Sequence, residues 1–270
     1  MDILLFSALI LVITGSVIGF ASGFFGVGGG FLMIPVQYWL LTSLGIDPTL
    51  SLRVAFGTSL AVILPTALSS TWGHHCRHCV LLRPLALMAI PGIIGGFVGA
   101  AISTHAPGRL MACLFGVLLF LAAVRMFFSH APPGNEHIPE SPWVYLPWGF
   151  AFGFVSGLFG IGGGIVMVPV MTTILRIPLR KAIGTSTAFM VCSSASGIIS
   201  YIINGLDVAG RPPYSFGYVD VAYWCVLVAA SVPLARLGVR AAHTTPPEKI
   251  KLLFVVLMIG IGLHMIFSNG

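Results

Sequence analysis

Charged residues are scarce in this chain. Only 7% of its 270 residues are Asp, Glu, Lys or Arg, whereas 57% are hydrophobic. A soluble domain usually carries charge on about a quarter of its residues, so the composition excludes an ordinary soluble fold. Several apolar stretches of about twenty residues are typical of helices that cross a bilayer. The sequence therefore predicts an all-α polytopic membrane protein that is surrounded by the lipid bilayer.

Carboxylates are missing from the middle of every apolar stretch. All seven lie in loops or at segment ends, namely Asp2, Asp47, Glu136, Glu140, Asp207, Asp220 and Glu248. A transporter of metal or organic cations normally keeps an acidic side chain at membrane depth to neutralise its cargo. The polar groups within the spans are hydroxyls and amides, which donate hydrogen bonds to oxyanions without a buried charge. This pattern favours a small anionic substrate.

Basic residues outnumber acidic ones, 13 to 7, but they are scattered over short loops rather than gathered into one patch. This distribution is typical of the inside-facing loops of membrane proteins and predicts no nucleic-acid partner. The five cysteines do not form the pattern of a disulfide framework. No cofactor is predicted.

Apolar runs separated by charge, Pro or Gly predict ten helical segments. Their approximate bounds are 3–22, 30–44, 53–72, 83–104, 108–129, 143–160, 164–176, 180–204, 218–240 and 248–267. The second and seventh are predicted to be half-helices, because a full crossing needs about 20 residues. One loop of soluble character divides the chain into a first repeat over 1–129, a linker over 130–142 and a second repeat over 143–270.

An eighteen-residue segment occurs twice. Residues 19–36 read GFASGFFGVGGGFLMIPV and residues 153–170 read GFVSGLFGIGGGIVMVPV, with twelve identical positions. A second motif, Gly-Thr-Ser, ends at Ser59 and again at Ser186. Glycine-rich interruptions at matching places in two apolar halves indicate a transporter whose binding site lies where the two breaks meet.

The two repeats are predicted to be inverted, because each holds five segments and five is odd. Positive charge supports this arrangement. One set of loops holds ten of the thirteen basic residues, namely Arg77, Arg83, Arg125, Arg176, Arg180, Lys181, Arg236, Arg240, Lys249 and Lys251. The other set holds Arg53, Arg109 and Arg211. The richer side is predicted to be cytoplasmic. A parallel eight-span arrangement, with a nine-to-four split, remains an alternative.

The glycine breaks predict the substrate site. Glycine lets backbone N–H groups approach a ligand closely, and the half-helix that follows directs the positive end of its dipole toward an anion. The Thr and Ser hydroxyls of the second motif are predicted to complete the anion's hydrogen bonds. The predicted substrate-binding residues are Gly26, Gly28, Gly29, Gly30, Thr58, Ser59, Gly160, Gly162, Gly163, Gly164, Thr185 and Ser186. Close helix packing and helix–helix hydrogen bonding are the alternative roles of these residues.

Together, the paired GFFGVGGG and GLFGIGGG runs, the prolines that follow at Pro35 and Pro169, and the paired Gly-Thr-Ser motifs resemble the TauE/SafE family of sulfite exporters, also called the toluene sulfonate uptake permease family. The resemblance covers nearly the whole chain. It implies a multi-pass carrier of the bacterial inner membrane for sulfite, thiosulfate or sulfonates such as sulfoacetate. We expect alternating access around a midplane site, with one repeat rocking against the other. Export is the expected direction, since the inside-negative potential expels an anion. A homodimeric assembly is left open.

Three other readings are considered. The run HHCRHC over 74–79 departs from the family pattern and could bind zinc or copper, which would make the chain a metal-handling membrane protein. An anion channel would share the same site without the rocking motion. An intramembrane hydrolase that uses Ser22 or Ser156 would need a base, and no His lies near either serine within a span. The chain is therefore predicted not to be an enzyme.

Overall fold

A computed structural model describes residues 2–128, 141–246, 248–249, 252–253, 255–256 and 259–260. Nine helices lie in these ranges: α1 (Asp2–Phe25), α2 (Gly30–Ser43), α3 (Pro48–His75), α4 (Leu82–His105), α5 (Gly108–Phe128), α6 (Pro142–Phe159), α7 (Gly164–Thr173), α8 (Leu179–Gly205) and α9 (Val221–Thr244). Two short antiparallel strands, β1 (Ser215–Phe216) and β2 (Val219–Asp220), precede α9. The described residues from 248 onward are helical. Most of the predicted linker lies outside the described residues.

The helices match the first nine predicted segments, and the prediction of an all-α polytopic membrane protein is confirmed. Five helices are long and apolar enough to cross a membrane, namely α1, α3, α4, α8 and α9. Helix α3 starts where Pro48 follows Asp47, whose carboxylate accepts a hydrogen bond from the N–H of Leu50 at 3.0 Å. Helix α9 starts in the same way, because the Asp220 carboxylate accepts from the N–H of Tyr223 at 3.0 Å.

Helices α1, α3 and α9 form one group that runs in a single direction. Gly57 in α3 lies against Tyr218, just before α9, and Gly73 near the end of α3 lies against Val239 near the end of α9. Helix α1 packs along α9 in the same sense. Gly57 of α3, and Gly19 and Gly23 of α1, face backbone atoms at these contacts, so the helix axes approach closely, as is common in membrane bundles.

Helices α4, α6 and α8 form the counterpart group. Gly149 of α6 lies against Met88 of α4, and further along Gly157 lies against Gly96. Helix α8 packs along α4 in the same direction. In the sequence repeat, α6, α8 and α4 correspond to α1, α3 and α9. Each packing group therefore takes helices from both repeats, so the groups differ from the two chain halves.

The two groups run in opposite directions. Helices α3 and α8 meet between them, where Gly57 lies near Tyr201 and Leu60 lies near Gly197. Later residues of α3 thus meet earlier residues of α8, so these equivalent helices are antiparallel. The two five-segment repeats are inverted, and the parallel eight-span alternative is excluded.

Helices α2 and α7 are too short to carry the chain back across the whole membrane. Helices α1 and α3 run the same way, so α2 must carry the chain back between them. Its 14 residues span about 21 Å, and the 10 residues of α7 span about 15 Å. Both lengths are below the hydrocarbon thickness of about 30 Å. The predicted half-helices are confirmed, with the glycine breaks inside the molecule.

The basic loops gather at one end of the molecule. Cys79 in the α3–α4 loop lies against Gly184 near the start of α8, and Arg180 donates to the carbonyl oxygen of His243 at 3.1 Å. The α3–α4 loop, the α7–α8 loop and the end of α9 therefore share one side. Arg53 lies at the other end, where it donates to the carbonyl oxygen of Ala106 at 3.3 Å. The charge asymmetry predicted from the sequence is present in the fold.

Candidate functional site

Both glycine breaks adopt the same backbone conformation. In the first break Gly26, Gly28 and Gly29 have φ values of 69°, 75° and 72°. The equivalent Gly160, Gly162 and Gly163 of the second break have φ values of 66°, 74° and 82°. This left-handed region is strained for residues with a Cβ atom, which explains why glycine occupies all six positions.

The two breaks lie against each other at the centre of the molecule. Gly30, the first residue of α2, approaches the carbonyl oxygen of Gly160, and Gly164, the first residue of α7, approaches that of Gly26. All eight predicted glycines are buried. The sequence prediction that the breaks meet therefore agrees with their placement, and the N-termini of two half-helices converge there.

Two equivalent side chains fill the space beside the breaks. Ile63 of α3 and Met190 of α8 both pack on Gly28 and on Gly162. Both side chains are fully buried. A side chain at either glycine would collide with the Met190 sulfur at about 3 Å. The breaks are thus closed by packing in this conformation, and an occupant would require the two side chains to move apart.

The two motif serines connect the repeats reciprocally. Ser59 donates its hydroxyl to the carbonyl oxygen of Gly160, and Ser186 donates to that of Gly26 at 2.7 Å. Each serine belongs to one repeat and binds the break of the other. These hydroxyls lie beside the glycines, and in this conformation they donate their protons to backbone carbonyl oxygens.

The two motif threonines have a different partner. Thr58 accepts a hydrogen bond from the N–H of Asp220 at 2.8 Å, and Thr185 accepts from the N–H of Leu81 at 3.0 Å. Asp220 and Leu81 are the N-cap residues of α9 and α4. The threonines therefore bind the starts of α9 and α4, whereas the serines that follow them in sequence bind the glycine breaks.

Backbone donors are left over at both half-helix N-termini. In the described ranges, no hydrogen bond uses the N–H groups of Gly28, Gly29 and Gly30, or those of Gly162, Gly163 and Gly164. The first N–H groups of a helix have no partner within the helix. Together with the aligned helix dipoles, they make each N-terminus favourable for negative charge.

A carboxylate lies near the end of the molecule that carries Arg53. Asp220 is 3% exposed, and burial raises the pKa of its carboxyl, opposed by hydrogen bonds from backbone N–H groups of Tyr223 and Ala222. Because Asp220 is the N-cap of α9, its oxygen is used by the helix. This placement agrees with the expectation that acidic residues lie at segment ends.

Two buried polar side chains in the first repeat are unpaired. Among the described residues, neither the hydroxyl of Ser22 nor the amide of Gln37 has a hydrogen-bond partner. Both side chains are fully buried. The residue equivalent to Ser22 is Ser156, which donates to Ser193 at 3.2 Å. The residue equivalent to Gln37 is Met171, which needs no partner. The sequence shows the difference between Gln37 and Met171, but only the structure reveals that Ser22 and Gln37 lack hydrogen-bond partners.

The run of His and Cys residues has a structural partner that the sequence did not indicate. Helix α3 continues through His74 and His75 rather than ending before them. His74 is 1% exposed, with one ring nitrogen 3.1 Å from the carbonyl oxygen of Gly23 and the other 3.3 Å from Nε2 of His243. His243 lies 169 residues away, so no local pattern could predict this contact.

The Cys side chains of the HHCRHC run are not arranged as a set of metal ligands. Cys76 is exposed, and the Cys79 thiol donates weakly to the carbonyl oxygen of Arg77 at 3.4 Å. Burial raises the pKa of the Cys79 thiol, whereas a metal ligand must be a thiolate. Within the described part of the chain, no three His, Cys, Asp or Glu side chains are grouped to hold an ion.

Known proteins are similar to this chain over nearly its whole length. The profile of the family described as Sulfite exporter TauE/SafE matches residues 10–265. A probable membrane transporter protein of Methanocaldococcus jannaschii is 26% identical over 258 residues, which cover 95% of this chain and 94% of the relative. Another from Xylella fastidiosa is 30% identical over 272 residues, which cover 97% and 96%. No solved structure matches the chain significantly. Because the profile covers most of its length, the chain belongs to the TauE/SafE sulfite exporter family of membrane transporters.

Proposed function

We propose that this protein is a secondary transporter of the bacterial inner membrane that exports a sulfur-containing oxyanion by alternating access. The observation that carries the proposal is the meeting of two half-helix N-termini. Their backbone N–H groups are unused in the described ranges, and they converge from two inverted repeats. Membership in a transporter family also favours transport over hydrolysis.

The chemistry of the breaks suits reversible binding of an anion. Helix N-termini stabilise negative charge through partial charges and directed N–H groups. A lysine or arginine at the same depth would bind an oxyanion more strongly and slow its release. The positive charges instead lie in the loops and near helix ends, where Arg180 and Arg53 are found at opposite ends of the molecule. They can attract the anion to either entrance.

Movement is proposed to occur between the two packing groups. Helices α1, α3 and α9 form one group, and α4, α6 and α8 form the other. Ile63 and Met190 lie where α3 and α8 meet, so tilting the groups apart at one end would open a path from that end. In this mechanism the packing groups rock against each other. They differ from the chain repeats because α9 of the second repeat packs with α1 and α3, and α4 of the first repeat packs with α6 and α8.

Binding and flux of the purified protein test the proposal. Sulfite, thiosulfate and sulfoacetate are added separately, and an anion that binds the folded protein should raise the Tm, with a shift that grows with the logarithm of its concentration above Kd. Phosphate, acetate and chloride serve as comparison anions. Proteoliposomes loaded with the stabilising anion should then show saturable uptake and counterflow. Flux that neither saturates nor exchanges would indicate the channel alternative.

Variants at the breaks test the site. Gly29→Ala and Gly163→Ala each place a Cβ atom at a φ above 70°, which should reduce binding of the stabilising anion while the protein still folds. Ala229→Leu, on an exposed position of α9, is the matched control for added bulk. Unchanged binding and transport in both glycine variants would refute the placement of the anion.

A further inference from the structure

We propose that the anion site is one-sided, with Ser22 and Gln37 of the first repeat supplying its side-chain hydrogen bonds. This inference rests on the proposed function, because it assigns further ligands to the same site. The backbone of the two breaks is nearly symmetric, but the residues at the equivalent positions differ, because Ser156 donates to Ser193 and Met171 is apolar.

Gln37 lies on the face of α2 that is directed into the protein. The buried residues of α2 include Gly30, Met33, Ile34 and Gln37, which recur at the spacing of one helical face. Gln37 follows Gly30 by two turns, about 10 Å along the axis. A helical side chain inclines toward the N-terminus, so the long Gln37 side chain covers part of that distance. Gln37 therefore shares the buried face of α2 with Gly30, whose N–H group is unused in the described ranges.

The burial of the Gln37 amide without a partner supports a role in ligand binding. An amide offers two N–H donors and one carbonyl acceptor, and burying them unpaired in an apolar helix is costly. Both ends of the Gln37 amide lack a partner among the residues that the structure describes. The equivalent Met171 shows that an apolar residue fits this position of the fold. A role in packing alone would not require the amide, whereas a bound oxyanion would accept its hydrogen bonds.

Ser22 approaches the same break from α1. Its carbonyl oxygen accepts from the N–H of Gly26 at 3.0 Å, so Ser22 lies in the turn directly before the break. In the second repeat, Ser156 donates to Ser193, which in turn donates to the carbonyl oxygen of Gly162 at 3.2 Å. Both of these serine hydroxyls of the second repeat therefore donate to acceptors within the protein. The Ser22 hydroxyl has no such acceptor in the described ranges and remains available to the anion.

Replacement of Gln37 by the residue of the other repeat is the decisive test. Sulfite is the probe, with thiosulfate and sulfoacetate in parallel, and affinity is measured from the ligand-dependent Tm of the purified protein. Gln37→Met should leave the unliganded Tm unchanged or higher, since it removes a buried unpaired amide. It should weaken the affinity by about tenfold or more, the loss expected for one or two hydrogen bonds to an anion.

Ser22→Ala and Ser156→Ala form a matched pair. Ser22→Ala should weaken anion binding without lowering the unliganded Tm. Ser156→Ala should lower the unliganded Tm, because it removes the bond to Ser193, and should leave the affinity near that of the wild type. The double exchange of Gln37→Met with Met171→Gln should fail to restore binding, because the proposed site is one-sided.

The outcomes separate the two proposals. Wild-type binding together with unchanged affinity in Gln37→Met and Ser22→Ala would overturn the one-sided site and leave the proposed function standing. Restored affinity in the double exchange would overturn it as well. A wild-type protein that responds to none of the three anions would contradict the proposed function itself, and this inference with it.

Discussion

Ser59 and Ser186 occupy equivalent positions on α3 and α8, and each donates its hydroxyl to a carbonyl oxygen in the glycine break of the other repeat. The acceptors are Gly160 and Gly26, the first glycines of the two breaks. The bonds are related by the inverted repeat and lie at the contact between the two packing groups. They join the groups at the place where we propose that the anion binds.

Removing these bonds should destabilise the closed arrangement. Ser59→Ala and Ser186→Ala each leave a buried carbonyl oxygen with one bond fewer, which should lower the free energy of unfolding by about 1 kcal/mol. Thermal unfolding in detergent measures the change. Ser43→Ala is the control, because its hydroxyl donates only to Leu40 within an exposed helix end. Equal effects in all three variants would contradict a special role for the reciprocal bonds.

The glycine seams should not tolerate large side chains. A Cβ atom on Gly19 would collide with the backbone of Ser231 in α9, and one on the equivalent Gly153 would collide with Gly92 in α4. Backbone cannot rotate away as a side chain can, so Gly19→Leu and Gly153→Leu should each cost about 3 kcal/mol or more, measured as lost Tm or lost folded protein. Ala229→Leu, on the exposed side of α9, should have little effect. A Gly19→Leu protein with the wild-type Tm would show that the seam can separate.

Stability should depend on pH through Asp220. Burial raises the pKa of this carboxyl above its ordinary value of 3.8, so the folded protein holds the proton more readily than the unfolded chain. The stability contributed by the protonated form is therefore lost as the pH rises from about this value through the raised pKa. Asp220→Asn keeps a helix-capping oxygen and should flatten this decline and raise the Tm at neutral pH.

The control for this pH effect is Asp47→Asn. Asp47 caps α3 in the same way but is exposed, so its replacement removes no buried charge. Unfolding is followed from acidic to neutral pH for both variants and the wild type. A parallel decline in wild type and Asp220→Asn would show that burial of Asp220 does not govern the profile.

Cysteine labelling should report both burial and sidedness. Cys76 is exposed, whereas burial raises the pKa of the Cys79 thiol and leaves less reactive thiolate. With Cys113, Cys192 and Cys225 replaced by Ser, a maleimide that does not cross membranes should therefore modify Cys79→Ser, which retains Cys76, faster than Cys76→Ser, which retains Cys79. Modification should require access to the cytoplasmic face, because the α3–α4 loop lies at the basic end. Modification from the opposite face of the membrane alone would reverse the predicted orientation.

Much of the architecture could be predicted before the structure. The composition indicates membrane helices, and the twofold occurrence of the glycine break indicates two repeats. The odd number of segments and the loop charges indicate inversion, which the antiparallel contact of Gly57 with Tyr201 and of Leu60 with Gly197 confirms. These features can be predicted because each depends on a short stretch of sequence. The length of an apolar run, a glycine break and the charge of a loop each act within one helix or one loop.

The partners of particular side chains were decided by the tertiary structure. The repeated Gly-Thr-Ser motif marks Ser59 as a candidate site residue, but its bond to the carbonyl oxygen of Gly160 depends on the crossing of helices from opposite repeats. The contact of His74 with His243 depends on the parallel packing of α3 and α9. The unpaired state of Gln37 depends on the whole shell around it, as the structure describes it. A sequence fixes which groups can form hydrogen bonds, whereas packing between distant segments determines which of them do.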